Sequence, residues 1–143
     1  MIKLPIILLI STTLFFKNSV QNIEEYLKGF KRKASDIEMI IFIPIDYPCE
    51  DCNQKIFSFF EKEKGNHKIV FIFVSNGKKL MNFYFKNKLR LKIEDLENAK
   101  NVILDYKNTA KYTNLISTFP TVYKKSNKFN KVELNSSNID KYL

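Results

Sequence analysis

Short apolar runs alternate with amphipathic stretches along most of the chain, and their spacing predicts alternating strands and helices. Two β-branched runs, residues 39–45 (MIIFIPI) and 68–74 (KIVFIFV), are typical of strands buried on both faces. Residues 49–64 between them have helical periodicity, and Gly65 is expected to end that helix. The apolar positions that carry this periodicity are Cys52, Ile56, Phe59 and Phe60. A strand, a helix and a second strand in this order indicate a right-handed βαβ unit with parallel strands.

The remaining segments extend this pattern on both sides of the βαβ unit. We predict a helix over residues 23–30, a helix over 80–89, a less regular polar stretch over 91–100, a strand over 102–104, a helix over 108–115, a hairpin of strands 121–124 and 131–134, and a last helix over 138–143. Asn108 is placed to cap the helix that follows it, and Ser136 or Ser137 to cap the last one. The order predicts an α/β fold: a central mixed sheet flanked by helices on both faces.

The beginning of the chain is typical of an export signal. Lys3 gives a positively charged start, and residues 4–16 (LPIILLISTTLFF) then form an uncharged apolar run closed by Lys17. This run matches a secretory core of about 7–15 residues better than a spanning helix of about 20. We expect residues 1–20 to be a signal peptide or an uncleaved signal-anchor, residues 21–37 a helical extension and residues 38–143 the folded domain. A buried first strand is the alternative interpretation of the apolar run.

Composition and charge fit one globular domain without a nucleic-acid site. The chain has 143 residues, of which 45% are hydrophobic and 14% aromatic, so it is neither disordered nor collagen-like. Its net charge of +9 comes from 22 Lys and only two Arg, Arg32 and Arg90. Arginine is the side chain that forks onto guanine and phosphate, so we interpret the charge as a solvated lysine surface. Residues 28–33 hold the tightest basic cluster, the one place where an anionic partner is expected.

The chemistry of the chain is concentrated at Cys49-Glu50-Asp51-Cys52, where a predicted strand gives way to a predicted helix. A thiol at a helix N-terminus meets free backbone N–H groups and the positive end of the helix dipole, which favour the thiolate. Two intervening residues in helical geometry let the second sulfur reach the first, so the pair can switch between dithiol and disulfide. A structural disulfide is the alternative, but so short a loop would stabilise the fold by only about 2 kcal/mol.

The two carboxylates between the cysteines bear on the redox chemistry. Glu50 and Asp51 would raise the pKa of a neighbouring thiol and oppose the helix dipole. That effect predicts a reducing rather than a strongly oxidising couple. Alternatively, the two acids simply complement the helix N-terminus. His67, the only histidine, lies at the far end of the predicted helix, so we expect no metal site and no cofactor.

These residues together resemble the thioredoxin fold. The resemblance rests on the strand that leads into C-x-x-C at the start of a helix, the second parallel strand, and the later Thr-Phe-Pro-Thr segment before a hairpin. The stretch between the second strand and Val102 is similar to an insertion found in bacterial extracytoplasmic redoxin-type thiol–disulfide oxidoreductases. The resemblance covers residues 38–143 and implies a periplasmic or membrane-tethered enzyme that acts on protein thiols or disulfides. A separate redox partner would then recycle its disulfide.

The resemblance also implies roles for individual residues. Cys49 corresponds to the exposed attacking cysteine, Cys52 to the buried resolving cysteine, and Pro120 to a cis-proline packed against the disulfide. The backbone of Phe119 would then pair with an extended substrate segment. Tyr47, in the loop before the first cysteine, is expected to line the substrate groove or to be an ordinary half-buried loop tyrosine. On the residues alone, a trans turn proline is the simpler interpretation of Pro120.

Three departures from the family pattern leave a second function open. Pro48 stands where the family usually has an aromatic residue, and the chain contains no tryptophan. Ile43 stands where a buried acid often lies, so Asp46 or water would have to serve Cys52 as proton acceptor. These departures favour a non-catalytic thioredoxin-fold binding module with a static disulfide as the alternative.

Overall fold

The computed structural model describes residues 19–143 and builds that part of the chain from five strands and six α-helices. The elements are α1 (Ser19–Gly29), β1 (Met39–Pro44), α2 (Glu50–Glu63), β2 (Ile69–Val74), α3 (Lys78–Tyr84), α4 (Ile93–Glu97), β3 (Val102–Asp105), α5 (Thr109–Tyr112), β4 (Thr121–Lys125), β5 (Phe129–Glu133) and α6 (Ile139–Tyr142). A π-helical turn, Phe85–Leu89, continues α3.

The strands form one mixed sheet in the order β3-β2-β1-β4-β5. β1 pairs parallel with β2, and β2 pairs parallel with β3. β4 runs antiparallel to β1, with Thr121 opposite Phe42, and β5 completes the hairpin. The carboxyl ends of the three parallel strands therefore share one edge of the sheet with the beginning of β4.

The core lies in two layers, one on each face of the sheet. Ile41 and Ile43 of β1 pack in a cluster with apolar residues of α2, α3, α4 and α6. Ile40 and Phe42 point to the other face and pack with residues of α1 and α5. Alternate side chains of β1 are thus buried on opposite faces, which explains its uninterrupted apolar sequence. The predicted α/β architecture, a mixed sheet with helices on both faces, is confirmed.

Most predicted elements are present, but two helix caps were assigned to the wrong residues. The side chain of Asn108 makes no cap bond; it bonds Asn76 instead. The Asp105 carboxylate, four residues before the helix, accepts hydrogen bonds from the backbone N–H groups of Thr109 and Ala110, at 3.0 and 2.8 Å. At α6, neither Ser136 nor Ser137 caps the helix; Oδ1 of Asn135 accepts from the N–H groups of Ser137 and Asn138 in the turn before it. In both places an upstream side chain bonds backbone N–H groups at or just before the helix because the preceding turn folds back toward it.

The export signal predicted for residues 1–20 falls almost entirely outside the described residues, so it stays a prediction. Within residues 19–143, no helix combines the length and apolar character needed to cross a membrane.

A buried tyrosine–carboxylate pair fastens α1 to the sheet. The Tyr26 hydroxyl donates to Oδ2 of Asp105 at 3.0 Å, and the side chain of Asp105 is 1% exposed. Two backbone N–H groups and one hydroxyl therefore satisfy this carboxylate inside the protein. Burial, together with the neighbouring negative charge of Asp105, raises the pKa of Tyr26 well above its ordinary value.

We expect the Tyr26–Asp105 pair to make stability fall at alkaline pH. The unfolded chain loses the Tyr26 proton near pH 10, whereas the folded protein keeps it. The contribution of Tyr26 is thus fully present below about pH 10 and declines above it, by up to about 1.4 kcal/mol per pH unit. Tyr26→Phe should flatten the decline in denaturant titrations between about pH 9 and 11. Tyr112→Phe, at an exposed tyrosine, is the control. An unchanged slope in Tyr26→Phe would contradict the assignment.

Candidate active site

Cys49 and Cys52 form a disulfide at the junction between β1 and α2. Cys49 is the N-cap residue of α2, with extended backbone angles, and Cys52 lies in the first helical turn. Their Cα atoms are 5.3 Å apart. The backbone N–H of Cys52 donates to Sγ of Cys49 at 3.3 Å, so this sulfur receives one of the free donors of the helix N-terminus. The predicted strand-to-helix position of the C-x-x-C pair is confirmed.

The two sulfurs occupy different environments. Cys49 is partly exposed at the end of the loop, whereas Cys52 is 1% exposed and belongs to the core cluster with Ile43 and Ile56. An incoming molecule would therefore reach Cys49 first. This asymmetry is what an attacking and a resolving cysteine require.

Asn53 holds the loop that leads to Cys49, a role that the sequence analysis missed. Its Nδ2 donates to the backbone carbonyl of Tyr47 at 2.9 Å, and its side chain is almost fully buried. Oδ1 of Asn53 is buried without a hydrogen-bond partner among the described residues. In the sequence, the only sign of this role was an asparagine next to the second cysteine. Its partner is a backbone carbonyl, which no sequence pattern reveals.

The structure brings Tyr47 and Phe119 together. Their ring centroids are 5.6 Å apart with planes inclined at 55°, and Phe119 is 39% exposed. Because Thr121 lies opposite Phe42, the segment just before β4 runs beside the end of β1, from which the loop to Cys49 leaves. Two of the three predicted substrate-binding residues thus form one partly exposed aromatic surface; their binding role stays a prediction.

The expectation of a cis peptide bond before Pro120 is wrong, since every peptide bond in residues 19–143 is trans. Pro120 is buried, and its carbonyl accepts from the Leu134 N–H at 2.7 Å. The Phe119 carbonyl accepts from the Thr121 hydroxyl at 2.9 Å. Both acceptors are therefore satisfied without the cis isomer, which costs about 0.5–1 kcal/mol at an X–Pro bond. Pairing of this Phe119 carbonyl with a substrate would compete with Thr121.

Three acidic residues lie close to Cys49 in sequence, and they differ in their partners. Glu50 and Asp51 are exposed in the first turn of α2, and neither takes part in an ion pair within residues 19–143. Burial and the nearby charge of Glu50 raise the pKa of Tyr84, so this carboxylate faces α3. Asp46 is exposed and pairs with Lys111, with 3.3 Å between Nζ and Oδ2.

A buried acid beneath the disulfide is not found in the described part of the chain. Ile43 packs in the core cluster of Cys52, at the position where the family pattern would place an acid. The one fully buried acid of residues 19–143, Asp105, bonds Tyr26, which belongs to the core cluster on the opposite face. Protons leaving or reaching Cys52 would therefore pass by water or by the exposed groups near Cys49.

Over residues 19–143, no three His, Cys, Asp or Glu side chains lie close enough together to hold a metal ion, and His67 is exposed. Comparison of the chain with protein-family models, with curated proteins and with solved structures finds no match. The chemical interpretation of the site therefore depends on its own geometry.

The different exposure of the two sulfurs predicts unequal reactivity after reduction. In the reduced protein, Cys49 should react with iodoacetamide at least about tenfold faster than Cys52, because only Cys49 is accessible and its sulfur lies at the helix N-terminus, where the Cys52 N–H donates to it. Timed alkylation followed by peptide mass spectrometry measures both rates, and Cys49→Ser and Cys52→Ser give each rate separately. Equal rates would show that the buried position of Cys52 is not kept in the reduced state.

Proposed function

We propose that this chain is a thioredoxin-like thiol–disulfide oxidoreductase that exchanges electrons with protein thiols or disulfides. The observation that carries the proposal is the bond between a partly exposed Cys49 and a buried Cys52 at the start of a helix. A disulfide needed only for stability has little reason to occupy this position, because its four-residue loop would contribute only about 2 kcal/mol.

The arrangement of strands supports the thioredoxin-like part of the proposal. The parallel β1–α2–β2 unit and the antiparallel β4–β5 hairpin, followed by α6, lie in the order that the family resemblance implies. The segment between β2 and β4 supplies α3, α4, β3 and α5, and β3 extends the sheet beyond β2. The stretch that resembles the redoxin-type insertion, between β2 and Val102, thus consists of helical segments and leads into the edge strand β3.

The proposed reaction transfers two electrons in two exchange steps. The Cys49 thiolate attacks one sulfur of a substrate disulfide; a mixed disulfide forms and the other substrate sulfur leaves as a thiolate that takes up a proton. The Cys52 thiol loses its proton, and its thiolate attacks Sγ of Cys49. The Cys49–Cys52 bond forms and the second substrate thiol is released. The substrate is reduced and this protein oxidised, so a separate dithiol partner would have to reduce Cys49–Cys52 again.

Surroundings of the disulfide support a binding role for the aromatic pair. Tyr47 lies in the loop before Cys49, and Phe119 packs on it from the segment before β4. A substrate held on this surface would place its sulfur at the accessible side of Cys49. We further propose that the reaction takes place outside the cytoplasm, in the periplasm or on a membrane tether. This follows from the export signal predicted for residues 1–20, since disulfide chemistry is favoured in such compartments.

Single cysteine variants test the reaction. With a small dithiol as electron source, the wild-type protein should reduce a disulfide-bonded protein substrate, and Cys49→Ser should lower the rate to that of the dithiol alone. Cys52→Ser, reduced beforehand and mixed with the substrate in the absence of free dithiol, should retain the first step and accumulate a mixed disulfide through Cys49, visible as a covalent adduct on non-reducing gels and by mass.

Two results would contradict the proposed oxidoreductase activity. A Cys49–Cys52 bond that stays oxidised in thiol buffers poised well below about −300 mV would indicate a static bridge. Wild-type and Cys49→Ser proteins that reduce the substrate equally would indicate the same. Retained partner binding in Cys49→Ser would then favour the binding module. Glu63→Gln, at the far end of α2, is a control that should keep full activity.

The acidic residues between the cysteines should set the potential of the couple. Glu50→Gln/Asp51→Asn removes negative charge beside the Cys49 thiolate, which stabilises the reduced form and raises the reduction potential by on the order of 30 mV, tenfold in the exchange equilibrium. Equilibration in graded glutathione buffers measures this shift. Glu94→Gln/Asp95→Asn removes the same charge from the first turn of α4 and should leave the potential unchanged. A lower or equal potential in the first double variant would mean that Glu50 and Asp51 only complement the helix.

A further inference from the structure

A basic groove lies at the edge of the sheet opposite the disulfide. It has a volume of about 380 Å³ and runs between the end of α1 with its following loop and the β4–β5 turn. Five cationic side chains line it, whereas Glu24 is the only acid among its lining residues. The cations are Lys28, Arg32, Lys33, Lys125 and Lys128. Two segments distant in sequence thus bring their positive charges to one concave surface.

The positive charge of this groove is not neutralised within the described part of the protein. The ion pairs found in residues 19–143 involve Lys55, Lys64, Lys68, Lys78 and Lys111, and none of the five groove cations. The positive charges of the groove repel one another, and the binding of an anionic ligand would relieve this repulsion.

Lys125, one of the lining residues of the groove, is held in place by three contacts. Its Nζ donates to the backbone carbonyls of Ala34 and Ser35, at 3.3 and 3.1 Å, and lies 5.6 Å from the centroid of the Phe129 ring. These contacts tie the loop after α1 to the β4–β5 hairpin. The two segments that line the groove are therefore connected to each other through Lys125.

The chemistry of the groove favours phosphate groups at a lipid surface over a nucleic acid. Four of its five cations are lysines, which attract phosphate as point charges rather than by the bidentate geometry that reads bases. Its one aromatic lining residue, Phe129, is 4% exposed and thus offers no ring face on which a base could stack. In the sequence, the apolar run 4–16 precedes Lys28 by only 12 residues, so both features occur in one short part of the chain.

We propose that this groove docks the protein on anionic phospholipid head groups. The groove lies at the amino end of β1, where Lys124 pairs with Met39, and the disulfide follows the carboxyl end of the same strand. The six residues of β1 span roughly 20 Å. Docking through the groove would therefore hold the Cys49 edge away from the lipid surface and toward the aqueous phase. The proposal stands independently of any redox activity.

Vesicle sedimentation of the full chain tests the docking. Wild-type protein should bind vesicles of phosphatidylcholine with 30% phosphatidylglycerol at least about tenfold more tightly than pure phosphatidylcholine vesicles in low salt, and the difference should shrink as salt rises. Lys28→Gln/Lys33→Gln/Lys128→Gln should lose the difference. Lys62→Gln/Lys79→Gln/Lys86→Gln has the same net charge, alters exposed lysines outside the groove, and should keep it. Thermal unfolding of both triple variants checks that each remains folded.

Several outcomes would overturn the proposal. Equal binding of the wild-type protein to both kinds of vesicle would exclude recognition of anionic lipid. An equal loss of vesicle binding in the two triple variants would show that binding depends on overall charge rather than on the groove. Displacement by inorganic phosphate at constant ionic strength would indicate a site for the free anion. Tight binding of a single-stranded oligonucleotide that only the groove variant loses would indicate a nucleic-acid surface.

Discussion

The burial of β1 on both faces constrains almost everything else in this molecule. Ile41 and Ile43 pack against α2 and its neighbours, and Ile40 and Phe42 pack against the layer of α1 and α5. With parallel β2 on one side and antiparallel β4 on the other, β1 has neither a free face nor a free edge. Its end is therefore a fixed point, and the loop that leaves it delivers Cys49 to the start of α2 in one defined position.

The antiparallel neighbour gives that fixed point its chemical surroundings. Because β4 runs against β1, the residues that precede β4 arrive where β1 ends, and Phe119 meets Tyr47 there. Asn53 of α2 reaches back to the Tyr47 carbonyl and closes the same loop from the helix side. The loop after β1, the segment before β4 and the first turn of α2 thus meet close to the partly exposed Cys49, whereas Cys52 is buried in the core. Two electrostatic effects on Cys49 oppose each other. The N-terminus of α2 favours a thiolate at Cys49, whereas the negative charges of Glu50 and Asp51 disfavour it.

Local pattern was enough to predict most elements of this fold and the place of the cysteine pair. It missed α4 (Ile93–Glu97), in the stretch expected to be less regular, and made α5 (Thr109–Tyr112) too long at its carboxyl end. The runs at residues 39–45 and 68–74 and the periodicity of residues 49–64 correspond to β1, β2 and α2 with boundaries off by a residue or two. These features lie in neighbouring residues, so a sequence displays them directly. The disulfide follows for the same reason, since its partners are three residues apart.

What could not be predicted depends on residues that meet only in the folded chain. Asp105, rather than Asn108, caps α5 because the end of β3 presents its carboxylate to that helix, and Tyr26 approaches it from 79 residues away. The pairing of Asp46 with Lys111 spans 65 residues, and it engages the acid that most closely precedes Cys49 in the sequence. The Phe119 carbonyl accepts from Thr121 and the Pro120 carbonyl accepts from Leu134, contacts that a family pattern does not contain. The site thus keeps the sulfur geometry that the motif implies, but it surrounds the buried sulfur with apolar residues and leaves its acids at the surface. The carboxylates that can bear on the charge of Cys49 are therefore the exposed ones, Glu50 and Asp51, whereas the one buried acid of residues 19–143, Asp105, lies on the opposite face of the sheet.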